Sequence, residues 1–295
     1  MKDTFGERIF YKFNYTIIAI SAFLCLYPFL YIVATSLSSN RAVNSGEVFL
    51  WPVEFTVEAY RQLLQHGQIF HAMRNSVVLA GFGTLFNMLL TILCAYPLSK
   101  PRLRGKGIIM GFIVFTMLFS GGMIPNFLLV RMLGLMDTYR ALWFTGFMSA
   151  TNMIIMRTSF QALPDSLEEA AQIDGANDPY ILTRIVLPLS KAMLATISLF
   201  YLVGWWNAYF APMLYIQSSD RYPLMVRLRQ MLDTAQMITV QGIAGEGTEG
   251  AMQTFVAAES FQAATILVSV LPIICVYPLL QKYFVKGVMI GSIKG

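Results

Sequence analysis

Charged residues fall along this chain in blocks, and the gaps between the blocks are long and apolar. Uncharged stretches run over 13–40, 75–99, 107–130, 141–156, 192–219 and 260–281. A helix needs about 20 apolar residues to cross a hydrocarbon core of ~30 Å. Five of the six stretches meet that length as they stand. The fourth is short, but Arg157 near its end can carry its guanidinium to the surface, so that span is read from Ala141 to Phe160. The pattern predicts an all-α membrane protein with six transmembrane helices, near 14–36, 73–98, 108–131, 141–160, 193–217 and 260–282, in one domain over 1–295.

The connections are unequal. Residues 38–72 hold a short helix, Thr56-Val-Glu-Ala-Tyr-Arg-Gln-Leu-Leu64, lying at the membrane surface. Residues 218–258 form a loop with a Gly-rich tip over 242–250. Between the fourth and fifth spans, 161–191, the pattern turns helical on a smaller scale. Ser166 followed by Glu169 reads as a capping box, and Gly175 as a left-handed stop. Asp178 and Pro179 then cap and open a second short helix. Ala170 and Ala171 leave a smooth face with room for a partner, so Glu169 is read both as a cap and as a charged contact with a cytosolic protein. The pairs Tyr27-Pro28, Tyr96-Pro97 and Tyr277-Pro278 read as helix kinks.

Composition agrees with the membrane reading: 56% of residues are hydrophobic and only 13% charged, where a soluble domain carries about 25%. Mean hydropathy is +0.59. The basic residues set the orientation. With the N-terminus inside, 13 of the 21 Lys and Arg lie on the cytoplasmic side, including four in the short loop Lys100-Pro-Arg-Leu-Arg-Gly-Lys106. Both termini are then cytoplasmic, as is the 161–191 loop, and 218–258 lies outside. The net charge of +5 belongs to this asymmetry, which removes nucleic acid as a partner. The first apolar run exceeds the 7–15 residues of a signal-peptide core and is read as an uncleaved anchor.

Reactive chemistry is absent from the pattern. No GxxxxGK[ST] run binds ATP on this chain, and no HExxH or GxSxG occurs. His66 and His71 are isolated, and Cys25, Cys94 and Cys275 sit in apolar runs without metal-ligand spacing. Gly81-Phe-Gly83 lies inside an apolar span and reads as small-residue helix packing. No catalytic or metal-binding residue is assigned. No Asp, Glu, Lys or His falls in the middle of a span, which disfavours proton coupling and places the energy source on another subunit.

The spacing Glu169-Ala170-Ala171, three residues, Gly175, nine residues, Ile185, one residue, Leu187-Pro188 resembles the EAA loop of permease subunits of bacterial ABC importers at every position. Asn75-Ser76-Val77, Cys94-Ala95-Tyr96, Gly204-Trp-Trp-Asn207 and the tail Val285-Lys-Gly287 extend the resemblance to the maltose-type permeases, nearest the polysaccharide and oligosaccharide branch. The insertion at 242–250 departs from it. The resemblance implies a type I, maltose-type permease fold in the bacterial cytoplasmic membrane. It implies a pore-forming subunit rather than an enzyme, with a second permease subunit, two cytosolic ATPase subunits holding ATP and Mg, and an extracytoplasmic solute-binding protein. It makes Glu169, Ala170, Ala171, Asp174, Gly175, Ile185, Leu187 and Pro188 the ATPase-coupling set. It also makes 218–258 the loop that reaches the binding protein.

A saccharide asks for aromatic faces and for amides or hydroxyls. The fifth span offers Trp205, Trp206, Asn207 and Tyr209; the third offers Asn126 beside Ser120-Gly-Gly122, where a broken helix can line a cavity. Asn152 lies in the fourth span. An interfacial aromatic belt is the competing reading of the tryptophans. All eight outward basic residues are arginines, among them Arg74, Arg131, Arg140, Arg221, Arg227 and Arg229. Arginine grips carboxylates through two parallel hydrogen bonds, so an acidic, uronate-type oligosaccharide is one reading; pairing with lipid phosphate or with the binding protein is the other. The rival functions are an ABC permease for a non-sugar solute and a non-transporting membrane anchor or sensor. The polar Asn126, Asn152 and Asn207 within the spans argue against the anchor.

Overall fold

The computed structural model describes residues 5–65, 68–244 and 258–292, and every regular element among them is helical. The chain divides into two compact units, Met1–Ile69 with Leu228–Leu271 and Phe70–Arg227 with Pro272–Gly295.

In the first unit α1 (Phe5–Ser36) carries the first apolar run, with Pro28 inside it. Two short helices follow, α2 (Asn40–Asn44) and α3 (Glu58–Gln65). The short helix expected over 56–64 forms, beginning two residues later, with Ala59 and Leu63 as its buried face. The segment between them is tied down by polar groups. The Val53 amide donates to Ser38 Oγ at 3.0 Å, the Ser39 amide donates to the Val53 carbonyl at 3.2 Å, and exposed Arg41 pairs with Glu54.

The second unit holds α4 (Gln68–Ser99), α5 (Lys106–Leu118), α6 (Met123–Met132), α7 (Tyr139–Thr145) and α8 (Ala150–Gln161). It continues through α9 (Asp165–Ile173), α10 (Asp178–Ile181), a π-helical turn Leu182–Val186 and α11 (Leu187–Leu189), then α12 (Lys191–Trp206) and α13 (Phe210–Tyr215). Its main core brings Met88, Ala95 and Leu98 of α4 against Met153, Met156 and Phe160 of α8, with Ile181, Val186 and Ile197. A second cluster joins Leu79, Val130, Leu142 and Tyr215.

Among the described residues three helices, Phe10–Ser36, Ile69–Ser99 and Glu259–Val276, are long and apolar enough to cross a membrane by themselves. The third expected span is broken as foreseen: α5 and α6 meet at 110° across Phe119–Gly122, with Gly122 at φ +83°. The fourth differs from expectation. Ala141–Phe160 is not one helix, because α7 stops at Gly146, whose carbonyl accepts from Asn87, and Ser149 caps a new start at α8. The fifth stops at Trp206 and resumes at Phe210. The expected loop at 218–258 also needs correction, since it contains a 21-residue helix, α14 (Leu224–Ala244). Of the Gly-rich tip, 242–244 end that helix and 245–250 lie outside the described residues, as does His66. The last span lies in α15 (Ala258–Ser292).

Polar side chains hold the second unit together where apolar helices by themselves give little specificity. The Trp205 indole donates to Asn87 Oδ1 at 2.6 Å, and Tyr201 and Thr91 share a hydrogen bond at 2.7 Å. Gly83 is the small residue that this packing requires: a Cβ there would lie 2.6 Å from Trp205 Nε1. Nothing comparable surrounds Gly81.

Candidate functional site

The loop between α8 and α12 folds as two short helices about Gly175, as its spacing predicts, but the caps differ. Proline fixes the backbone of Pro164 at φ −61°, and α9 starts immediately after it, at Asp165. Ser166 is therefore already inside the helix, and the Ser166–Glu169 capping box does not form. Likewise Asn177, not Asp178, caps α10, accepting from the Tyr180 amide at 3.0 Å. Gly175 does what was expected of it. At φ +84° it closes α9 with bonds from its own amide to the Gln172 carbonyl (3.0 Å) and from the Ala176 amide to the Ala171 carbonyl (2.9 Å). That is the paired closure of a Schellman motif.

Freed from capping, Glu169 is exposed, along with Ala170, Asp174 and Gly175. Pro188 is exposed as well, whereas Ala171, Ile185 and Leu187 are half-buried against the main core. The coupling set thus splits into an outward face and an inward foot. The outward face is wider than the motif: Ile173 is 87% exposed, and Leu167 and Tyr180 are also open. A cleft of about 560 Å³ runs between the two short helices, lined by Asp174, Gly175, Asn177, Tyr180 and Arg184 among others.

Charge ties this loop to the end of α4. Glu168, the neighbour of the motif glutamate, is buried and pairs with Lys100, whose ammonium also lies 4.8 Å from the Tyr96 ring centre. Arg102 pairs with Asp178 at the surface. Arg157 does not extend to the surface as expected but donates to the Leu98 carbonyl at 2.9 Å, capping the C-terminal end of α4. The Lys100–Glu168 pair was missed in the sequence because its partners are 68 residues apart.

The residues proposed for a sugar path are less concentrated. Trp206 is buried and half-buried Trp205 is hydrogen-bonded to Asn87, so neither lies in an exposed aromatic belt. Asn207 and Asn126 are exposed, at the end of α12 and in the first turn of α6, while Asn152 and Tyr209 are half-buried.

At the other end of α4, Asp137 acts as a hub. Its carboxylate accepts from the amides of Gln217 (3.0 Å) and Ser218 (2.9 Å), from the Ser218 hydroxyl and from Arg221. Asn75 donates to the carbonyls of Asp220 and Tyr222, and Ser76 accepts from the Leu224 amide, which gives the Asn75-Ser76 pair its structural reason. The Ser218 bonds hold the Asp137 carboxyl down at about 2, below the ~3.9 of a free aspartate. A depressed carboxylate stabilises the fold above its free value and loses that contribution as the pH falls through the folded one. The strap should therefore hold from pH 7 to pH 5 and loosen between about pH 4 and pH 2. Hydrogen exchange at the Gln217 and Ser218 amides checks this: in Asp137→Asn protection should be weak at every pH, and wild-type protection already lost at pH 6 would exclude the assignment.

Among the arginines expected on the outer side, Arg221 is engaged by Asp137 and Arg229 by Asp233 at 3.0 Å. Arg74, Arg131 and Arg140 are exposed and make no ion pair among the described residues.

Long apolar helices, some broken in mid-span, fit a multi-pass membrane component. A family model described as the binding-protein-dependent transport system inner membrane component matches residues 87–290, and the chain belongs to that family. It is a transport permease subunit, not an enzyme. It is 41% identical to the polygalacturonan/rhamnogalacturonan transport system permease protein YtcP of Bacillus subtilis, over 98% of this chain and 99% of that one. It is 38% identical to protein LplC of Bacillus subtilis, over 100% and 98%. Among solved structures it resembles a chain of a bacterial ABC transporter involved in the import of the acidic polysaccharide alginate. That match has a TM-score of 0.84 and 36% identity, covering 96% of this chain and 99% of the other.

Proposed function

We propose that this chain is one of two permease subunits of an ATP-driven importer in a bacterial cytoplasmic membrane, both termini inside, carrying uronate-type oligosaccharides delivered by a solute-binding protein. ATP and Mg are held by two cytosolic ATPase subunits. The outward face of α9 and α10, with Glu169, Ala170, Asp174 and Gly175, is the surface that docks them. Ala171, Ile185 and Leu187 pass the movement to the core. The ion pairs Lys100–Glu168 and Arg102–Asp178 link the same loop to α4.

The observation that carries the acidic cargo is the set Arg74, Arg131 and Arg140, exposed and without carboxylate partners among the described residues. A cation left unpaired at an outer mouth attracts an anion and quickens its encounter. Two relatives point the same way by their descriptions: one is named for polygalacturonan, a polymer of galacturonate, and the other for alginate, an acidic polysaccharide.

The test is ATPase stimulation of the purified assembly by binding protein loaded with uronate oligomers or with neutral oligomers of equal length. Stimulation by uronates is expected, with Arg131→Gln and Arg140→Gln together raising the uronate concentration needed several-fold. Stimulation by neutral sugars alone would remove the acidic cargo while leaving the permease assignment intact.

A further inference from the structure

A second pocket, of about 400 Å³, opens where α4 ends. One wall is apolar, made by Leu93, Pro97, Leu103, Pro179 and Leu182; the rim holds exposed Arg102, Arg104 and Asp178, and buried Lys100 also lines the pocket. Lys100 is matched by Glu168 and Arg102 by Asp178, so one uncompensated positive charge remains, the exposed Arg104, which makes no ion pair among the described residues.

Above the pocket α4 presents an unbroken apolar stripe. Phe82, Leu85, Leu89 and Leu93 fall three or four residues apart, on one face, and each is at least 50% exposed. From Phe82 to Leu93 the helix rises about 16 Å at 1.5 Å per residue. That is about half of a ~30 Å hydrocarbon core, the depth of one leaflet. The pocket floor carries Tyr96, 6% exposed, whose hydroxyl has no hydrogen-bond partner among the described residues.

We propose that this pocket holds an anionic glycerophospholipid, its phosphodiester against Arg104 and one acyl chain along Leu93, Leu89 and Leu85. The charge fits, since a phosphodiester headgroup of the phosphatidylglycerol kind carries one negative charge and the rim has one positive charge unmatched. The geometry fits too, since a basic rim directly below an apolar track of one-leaflet depth offers an amphiphile both of its surfaces in the right order. A soluble anion would use the rim and leave the stripe empty. The cargo plays no part in this site.

Native mass spectrometry of the purified assembly, supplied with phosphatidylglycerol and phosphatidylcholine in equal amounts, tests it. The wild-type assembly should retain phosphatidylglycerol in preference. Arg104→Gln should weaken that retention about fivefold, the change given by ~1 kcal/mol per basic residue near a membrane surface. Arg104→Lys should restore most of it, and Arg61→Gln, at an exposed arginine already paired with Glu58, should leave it unchanged. Equal retention of the two lipids, or retention unaffected by Arg104→Gln, would overturn the proposal. So would a photo-crosslinking group placed at Leu93 that captures the other permease subunit instead of lipid.

Discussion

Replacing Glu168 by leucine is expected to destabilise the permease by about 3–5 kcal/mol, because it leaves Lys100 charged and unpartnered in a buried place. Both side chains of the pair are only 11% exposed, so water offers little compensation. The cost belongs to the orphaned charge and not to the loss of an attractive contact. The double variant Lys100→Met with Glu168→Leu should therefore recover most of the stability, since a buried pair exchanged for apolar groups of similar size is often neutral. Thermal unfolding of the detergent-purified assembly, followed by tryptophan fluorescence, distinguishes the two. A double variant as unstable as the single one would show that the pair is valued for something other than mutual neutralisation. Arg102→Gln, breaking the exposed pair with Asp178, should cost under about 1 kcal/mol.

The second large effect concerns Gly175. Valine there is expected to abolish uptake while the permease still inserts in the membrane. A Cβ at Gly175 meets nothing within 4 Å, so no clash is involved. The penalty comes from the backbone, which at φ +84° is strained for a β-branched residue by about 1–3 kcal/mol. Released from the left-handed turn, α9 loses its closing bonds at Gln172 and Ala171 and swings its outward face away from the ATPase. Asparagine tolerates this conformation, so Gly175→Asn should keep much of the activity. Glu169→Lys should lower ATPase co-purification by reversing a charge on the docking face. Uptake of labelled oligosaccharide into proteoliposomes, with quantified co-purification, measures each; wild-type uptake by Gly175→Val and Glu169→Lys would sink the coupling assignment.

Much of this was legible in the sequence because it depends on local patterns. Long uncharged runs become helices whose apolar faces have nowhere else to go, as in Phe5–Ser36 and Gln68–Ser99. The break near Gly122 and the turn at Gly175 follow from the one residue type that adopts positive φ freely. The helix hidden in the 218–258 loop could also have been found, since Arg229 and Asp233 stand one helical turn apart and pair. The start of α9 was legible too, since proline's fixed φ suits the opening of a helix and Pro164 stands two residues before Ser166.

The sequence by itself therefore determined an all-helical membrane permease, the position of the two-helix loop between α8 and α12 and the turn within that loop. Hydrophobic period, charge spacing and glycine act over a few residues, and those properties are written along the chain. Only the tertiary structure decided which groups meet. Glu168 finds Lys100, Trp205 finds Asn87, and Asp137 gathers Ser218 and Arg221, across 68 to 118 residues of chain. Such pairings are selected by the packing of whole helices, which brings a few polar groups into hydrogen-bonding distance. There each can be satisfied only by the partner that the fold supplies.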